Sequence, residues 1–203
     1  MDLIEIFSKG GPVMYLLLLT SVFTAAIGIE RFRFYNYAES GGEDFLNSLI
    51  DRTDKQNIEG ILNFCQSQKG SAATVAVSGI KAAILGNNVE SALNISYVEE
   101  AVKLRARLNY LSMIVTLAPL LGLLGTIFGM IDAFNIFNLQ AGQPLAITGG
   151  IGEALTATAA GLCVAIFSLI IHTYLSQRLD EILSELDRVS AVVLNIAEKK
   201  GLA

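Results

Sequence analysis

Three stretches free of Asp, Glu, Lys and Arg, Pro12–Ile29, Leu108–Ile131 and Ala154–Gln177, constrain this chain more than any other feature of it. Each is long enough, at about 1.5 Å per helical residue, to cross a hydrocarbon layer about 30 Å thick. Backbone groups have no water partner there, so a single chain crosses as helices unless its strands close a barrel. No convincing period-two pattern favours the barrel. The composition agrees, with 53% hydrophobic and only 16% charged residues against roughly 25% charged in soluble domains. The expected class is an all-α membrane protein with three transmembrane helices.

Basic residues stay on the cytoplasmic side of a membrane, so their positions predict the orientation. Arg31 and Arg33 follow the first span, Lys103, Arg105 and Arg107 precede the second, and Arg178 follows the third. The stretch from Asn135 to Ile147 has no Lys or Arg. The first span is expected to be a retained helix rather than a cleaved leader, because Asp2, Glu5 and Lys9 precede it and Glu30-Arg31 follows without a small-residue cleavage site. These features predict a periplasmic or interfacial segment at 1–11, a first span at 12–29 and a cytoplasmic helical domain at 30–107. A second span at 108–134, a short periplasmic loop at 135–147, a third span at 148–177 and a cytoplasmic helical tail at 178–203 complete the reading.

Most of the charge falls on the predicted cytoplasmic parts, with ten acids and nine bases in 30–107 and five acids and four bases in 176–203. Gly41-Gly42, Gly70 and Gly86 divide the larger part into short helices. Beyond the third span, Leu175, Leu179, Ile182, Leu186, Val189, Val193 and Ile196 alternate steps of four and three, which is a heptad seam. Tyr97, Ala101, Leu104, Leu108 and Leu111 repeat that spacing into the second span. The second and third spans are therefore predicted to continue as long helices into the cytoplasm. The seams are read first as packing within one chain and second as packing between subunits, and the two can coexist.

Several chemistries are excluded by what the chain lacks. His172 is the only histidine, and Cys65 and Cys163 stand in dissimilar surroundings, so neither a metal site nor a disulfide framework is expected. No phosphate-binding glycine loop and no nucleophile with its base is visible, so neither a cofactor nor an enzymatic activity is expected. The net charge of −5 makes nucleic acid a poor partner.

The informative residues of the second and third spans are small or polar. Gly122, Gly125 and Gly129 run along the second, and Gly149, Gly150, Gly152, Ala157, Ala160 and Gly161 crowd the third. Small residues let helix backbones approach where lipid supplies no hydrophobic drive. Thr126, Glu153, Thr156 and Thr158 stand on this background. A carboxylate within a span is costly and commonly marks an ion or proton path, so Glu153 is the first candidate. Its plainer reading is an acid at a helix start near the outer interface, favoured by the macrodipole. Asp132 reads as a solvated helix-end charge and His172 as a packed or snorkelling side chain.

Three stretches carry a family resemblance: Gly10-Gly11-Pro12-Val13-Met14 leading a span that ends Ile29-Glu30-Arg31, the run Ala118-Pro119-Leu120-Leu121-Gly122-Leu123-Leu124-Gly125-Thr126-Ile127-Phe128-Gly129-Met130, and the run Gly150-Ile151-Gly152-Glu153-Ala154-Leu155-Thr156-Ala157-Thr158-Ala159-Ala160-Gly161-Leu162. With these the chain resembles the ExbB/TolQ/MotA proton-channel family, nearest its ExbB branch. Three spans rather than four set it apart from the flagellar stator branch.

The resemblance implies a multi-pass protein of the bacterial inner membrane that uses proton motive force to energise the outer membrane, as in TonB-dependent transport. It implies a homopentamer whose second and third helices surround a pore holding the helices of two copies of an ExbD-type single-span partner, together with a TonB-type protein. On that match Thr126, Glu153 and Thr158 take the polar pore positions and the partner supplies an aspartate, while Thr156 has no fixed place. Gly122, Gly125, Gly129, Gly152, Ala157 and Gly161 pack the helices or line the pore. A TolQ-like or gliding-motor subunit and a passive membrane scaffold are the competing expectations.

Overall fold

The computed structural model describes residues 11–39, 41–139 and 144–202, with side chains described throughout except at Asp54, at Glu153 and in 136–139 and 144–148. The described residues form helices α1 (Val13–Ala38), α2 (Gly42–Lys55), α3 (Ile58–Ser67), α4 (Ser71–Leu85), α5 (Val89–Arg105), α6 (Leu108–Leu139) and α7 (Pro144–Lys199). No strand occurs among them. Three stretches, within Val13–Thr53, Val89–Asn135 and Gly149–Lys199, are long and apolar enough to cross a membrane. The chain is an all-helical, multi-pass membrane protein.

It divides into two compact units, one from the chain up to Ile29 with Arg107–Tyr174, the other from Glu30–Ala106 with the chain from Leu175 on. In the first unit, Val13, Met14 and Leu17 of α1 meet Ile114 and Ala118 of α6 and Ala165 of α7 in one buried cluster. Many large apolar side chains of this unit face outward instead: Leu19, Val22, Leu120, Ile127, Leu155 and Ile170 are all exposed. Such an inside-out distribution suits a lipid surround, in which apolar side chains need not be hidden and close packing favours small ones.

The second unit has an ordinary apolar core. Phe45 and Leu49 of α2, Ile61 and Cys65 of α3, Val75, Ala76 and Ile80 of α4 and Leu93 of α5 are buried, and Phe45 stacks on Phe64 with ring centroids 5.8 Å apart. Local signals set the helix ends. Asn57 Oδ1 accepts from Gly60 N at 3.0 Å and Asn88 Oδ1 from Ser91 N at 2.7 Å, so each asparagine caps a helix start. Gly86 closes α4 in the left-handed region at φ 69°, with Asn87 N donating to Ala82 O at 2.9 Å.

All seven residues of the seam from Leu175 to Ile196 are buried within the chain itself. Packing inside one subunit is thus sufficient to cover that stripe. The extension beyond the third span is one unbroken helix in α7. The extension expected ahead of the second span is not: α5 stops at Arg105, α6 starts at Leu108, and Arg107 between them has φ 69°. The reason lies in the last carbonyls of α5. Arg31 Nη1 donates to Lys103 O at 3.1 Å and Tyr35 Oη to Leu104 O at 2.9 Å, so side chains of α1 satisfy acceptors that a continuing helix would have used. Helix α1 runs past Ile29 to Ala38, which places both side chains there. Helices α6 and α7 also reach to Leu139 and from Pro144, into the stretch read as loop 135–147.

Candidate functional site

Helices α6 and α7 approach closely along matched lines of small residues. A Cβ added to Gly161 would lie 2.7 Å from Ala118 O, one on Gly122 3.1 Å from Ala157 O and from Thr158 Cα, and one on Gly125 2.5 Å from Ala157 Cβ. Further along, one on Gly129 would lie 3.0 Å from Ala154 Cβ, and one on Gly150 2.6 Å from Ala133 Cβ. The pairing runs antiparallel, and its spacing of four and three on both helices is the helical repeat that keeps one stripe facing another. Main chain touches main chain because nothing larger than a methyl stands between.

The candidate residues divide on this geometry. Gly122, Gly125, Gly129, Ala157, Gly161 and Thr158 are brought together in the contact, where Thr158 Oγ1 donates to Gly122 O at 3.0 Å across the helices. Thr126 and Thr156 do not join it. Their hydroxyls donate back along their own helices, Thr126 to Leu123 O at 2.6 Å and Thr156 to Gly152 O at 2.8 Å, and both side chains are half-buried. Gly152 is exposed, and a Cβ there would meet nothing within 4 Å among the described residues. The backbone of Glu153 belongs to α7, but its side chain lies outside the described residues. Asp132 is exposed and His172 half-buried.

A second polar contact in this unit escaped the sequence reading. Thr24 of α1 and Ser168 of α7 are completely buried, with their hydroxyl oxygens 2.9 Å apart. The signal was available in principle, since each is a hydroxyl within an apolar run, but only the fold pairs them. Pro119 sits inside α6, where its ring cannot donate a backbone hydrogen bond. Such a residue is tolerated in a spanning helix that neighbouring helices support.

Sequence comparison identifies the family. The profile of the MotA/TolQ/ExbB proton channel family matches residues 66–188, more than half of the chain, including every candidate residue. An ExbB-like biopolymer transport protein of Synechocystis is 32% identical over 88% of this chain and 74% of its own length. The Tol-Pal system protein TolQ of Haemophilus influenzae is 26% identical over 90% of this chain and 87% of its own. The biopolymer transport protein ExbB of Salmonella typhimurium is 35% identical over a shorter segment, 42% of this chain and 36% of that protein. With three apolar helices of spanning length and a family profile over more than half its residues, the chain belongs to the MotA/TolQ/ExbB proton channel family.

Proposed function

We propose that this protein is the proton-channel subunit of an ExbB-like inner-membrane motor, which uses proton motive force with an ExbD-type partner to energise TonB-dependent outer-membrane transport. One observation carries the reading: the close contact of α6 with α7 occupies Gly122, Gly125, Gly129, Ala157 and Gly161, and leaves Gly152, Thr156 and Thr126 off that contact. A small and hydroxylated surface of this kind suits a foreign helix bearing its own carboxylate. Several copies of the chain, five by family resemblance, would then enclose the partner helices, with Glu153, Thr126, Thr156 and Thr158 as the polar groups near the path. The basic flanks favour an N-terminus in the periplasm and both charged parts in the cytoplasm. The similarity to TolQ over most of both chains supports a second reading, a Tol-Pal subunit, which differs in its partner rather than in the channel.

Each proton crossing 100 mV releases about 2.3 kcal/mol. Glu153→Gln retains size but not the exchangeable proton, and is expected to abolish proton flux in vesicles containing the chain and its copurifying single-span partner, with the complex still assembled. Unchanged flux would return Glu153 to the role of a helix-start acid. The chain reconstituted without any partner is expected to leak few protons, and efficient conduction by it would overturn the partner requirement.

A further inference from the structure

Beyond the third span the charged residues Arg178, Asp180, Glu181, Glu185, Asp187 and Arg188 take α7 out of any hydrocarbon layer, so this part of the helix is non-spanning. Within it, Glu185 is 7% exposed, on the buried side of the helix with Ile182 and Leu186. Its Oε1 has no hydrogen-bond partner among the described residues. An ionised carboxylate in that position would leave Oε1 with neither water nor a described donor, which is costly.

The charges acting on it come from three elements. Glu39 follows the end of α1, Glu43 lies in the first turn of α2, and Arg188 belongs to α7 itself, as does Arg178, which pairs with Glu39. Both guanidinium groups are engaged elsewhere. Arg178 Nη2 donates to Glu39 Oε2 and also lies 3.3 Å from Asn36 Oδ1, and Arg188 Nη1 is 3.9 Å from Glu43 Oε1. Three carboxyls thus share two arginines, and the buried carboxyl is the one left over.

We propose that Glu185 is a proton-binding site, in which one proton on the carboxyl stands as the third positive charge of the Glu39, Glu43 and Glu185 set and holds α2 and the end of α1 against α7. Loss of that proton leaves a buried carboxylate facing two others and loosens the junction. Burial is the largest influence favouring the neutral form and Glu39 the next; Arg188 opposes them and Glu43 adds to them, so the carboxyl titrates above its ordinary range. The folded value exceeds the unfolded one, so the stabilisation is complete below the unfolded carboxylate value and is lost as pH rises through the folded value. A metal ion is not the expected occupant, since no group of three or more potential ligands for one occurs among the described residues.

The full-length protein in detergent is the material for the test. On acidification its infrared spectrum should gain a protonated carboxyl band at higher pH than an ordinary carboxyl does, a band that Glu185→Gln removes, and hydrogen exchange of the α2 amides at Phe45 and Leu49 should accelerate with rising pH beyond the intrinsic rate in the wild type but not in the variant. Glu43→Gln, at an exposed side chain that does not support the core, keeps the test decisive where Glu185→Gln misfolds. It should shift the wild-type transition to lower pH, by removing a facing carboxylate and releasing Arg188. A band unaffected by Glu185→Gln, a transition that Glu43→Gln leaves in place, or one that moves with added calcium or with chelator instead of with pH would overturn the proposal.

Discussion

The hydroxyl of Thr158 on α7 donates to the carbonyl of Gly122 on α6 at 3.0 Å, at the point where a Cβ on residue 122 would lie 3.1 Å from Thr158 Cα. Polar contact and backbone contact coincide there, so the two are expected to differ sharply in weight. Thr158→Val keeps the shape and removes one interhelical hydrogen bond, at about 0.6 kcal/mol on average in membrane bundles. Gly161→Val forces a side chain against Ala118 O and Gly122 Cα, and overpacking of this kind costs roughly 1–3 kcal/mol or displaces a helix. Thermal unfolding in detergent should rank Gly161→Val well below Thr158→Val; equal stabilities would mean that the helices can separate without loss.

Thr24 and Ser168 form a second tie, between α1 and α7. Double-mutant analysis of Thr24→Val and Ser168→Ala should return a coupling of roughly 0.5–1.5 kcal/mol, because either single change leaves a buried hydroxyl without its partner. Additive effects would place the two hydroxyls on separate partners.

In the second unit, Gly79 of α4 is buried where a Cβ would lie 2.5 Å from Leu93 Cδ2 and 2.8 Å from Val193 Cγ1. Gly79→Val should therefore destabilise this unit by about 1–3 kcal/mol, despite the better helix propensity of valine over glycine. Faster hydrogen exchange in α4 and in the last turns of α7 is the measurement. Unaltered exchange would show that Leu93 and Val193 turn aside at no cost.

Cys65 is completely enclosed, and burial pushes its thiol up to about 12. Thiolate is the reactive form. In a Cys163→Ala background, Cys65 should resist maleimide at pH 8 in the folded protein and react at once in denaturant. Rapid labelling without denaturant would mean that α3 opens readily.

The orientation is testable by labelling cysteines placed at Asn138 and Gly86. The first should react from the periplasmic side and the second only from the cytoplasm, and the reverse pattern would invert the topology.

The sequence by itself determined that the chain is helical and that three of its stretches cross a membrane, because charge-free length is a property of consecutive residues. It also determined where the short helices break, as at Gly86, since a left-handed turn demands that residue type locally. The line of small residues marked α6 and α7 as packing helices for the same reason: a stripe is a periodicity. What the tertiary structure decided are pairings, which no one-dimensional pattern contains. It set Gly122 opposite Thr158 while Gly152, an identical residue in a similar run, met open space. It joined Thr24 to Ser168, and it ended α5 where Arg31 and Tyr35 from a distant helix bond its last carbonyls, although the apolar spacing ran on unbroken through Leu108. It also left Oε1 of buried Glu185 without a partner among the described residues, since two arginines on its own helix pair with Glu39 and Glu43. Contact between residues far apart in sequence depends on which helix faces align in three dimensions, and that is settled by packing over the whole fold.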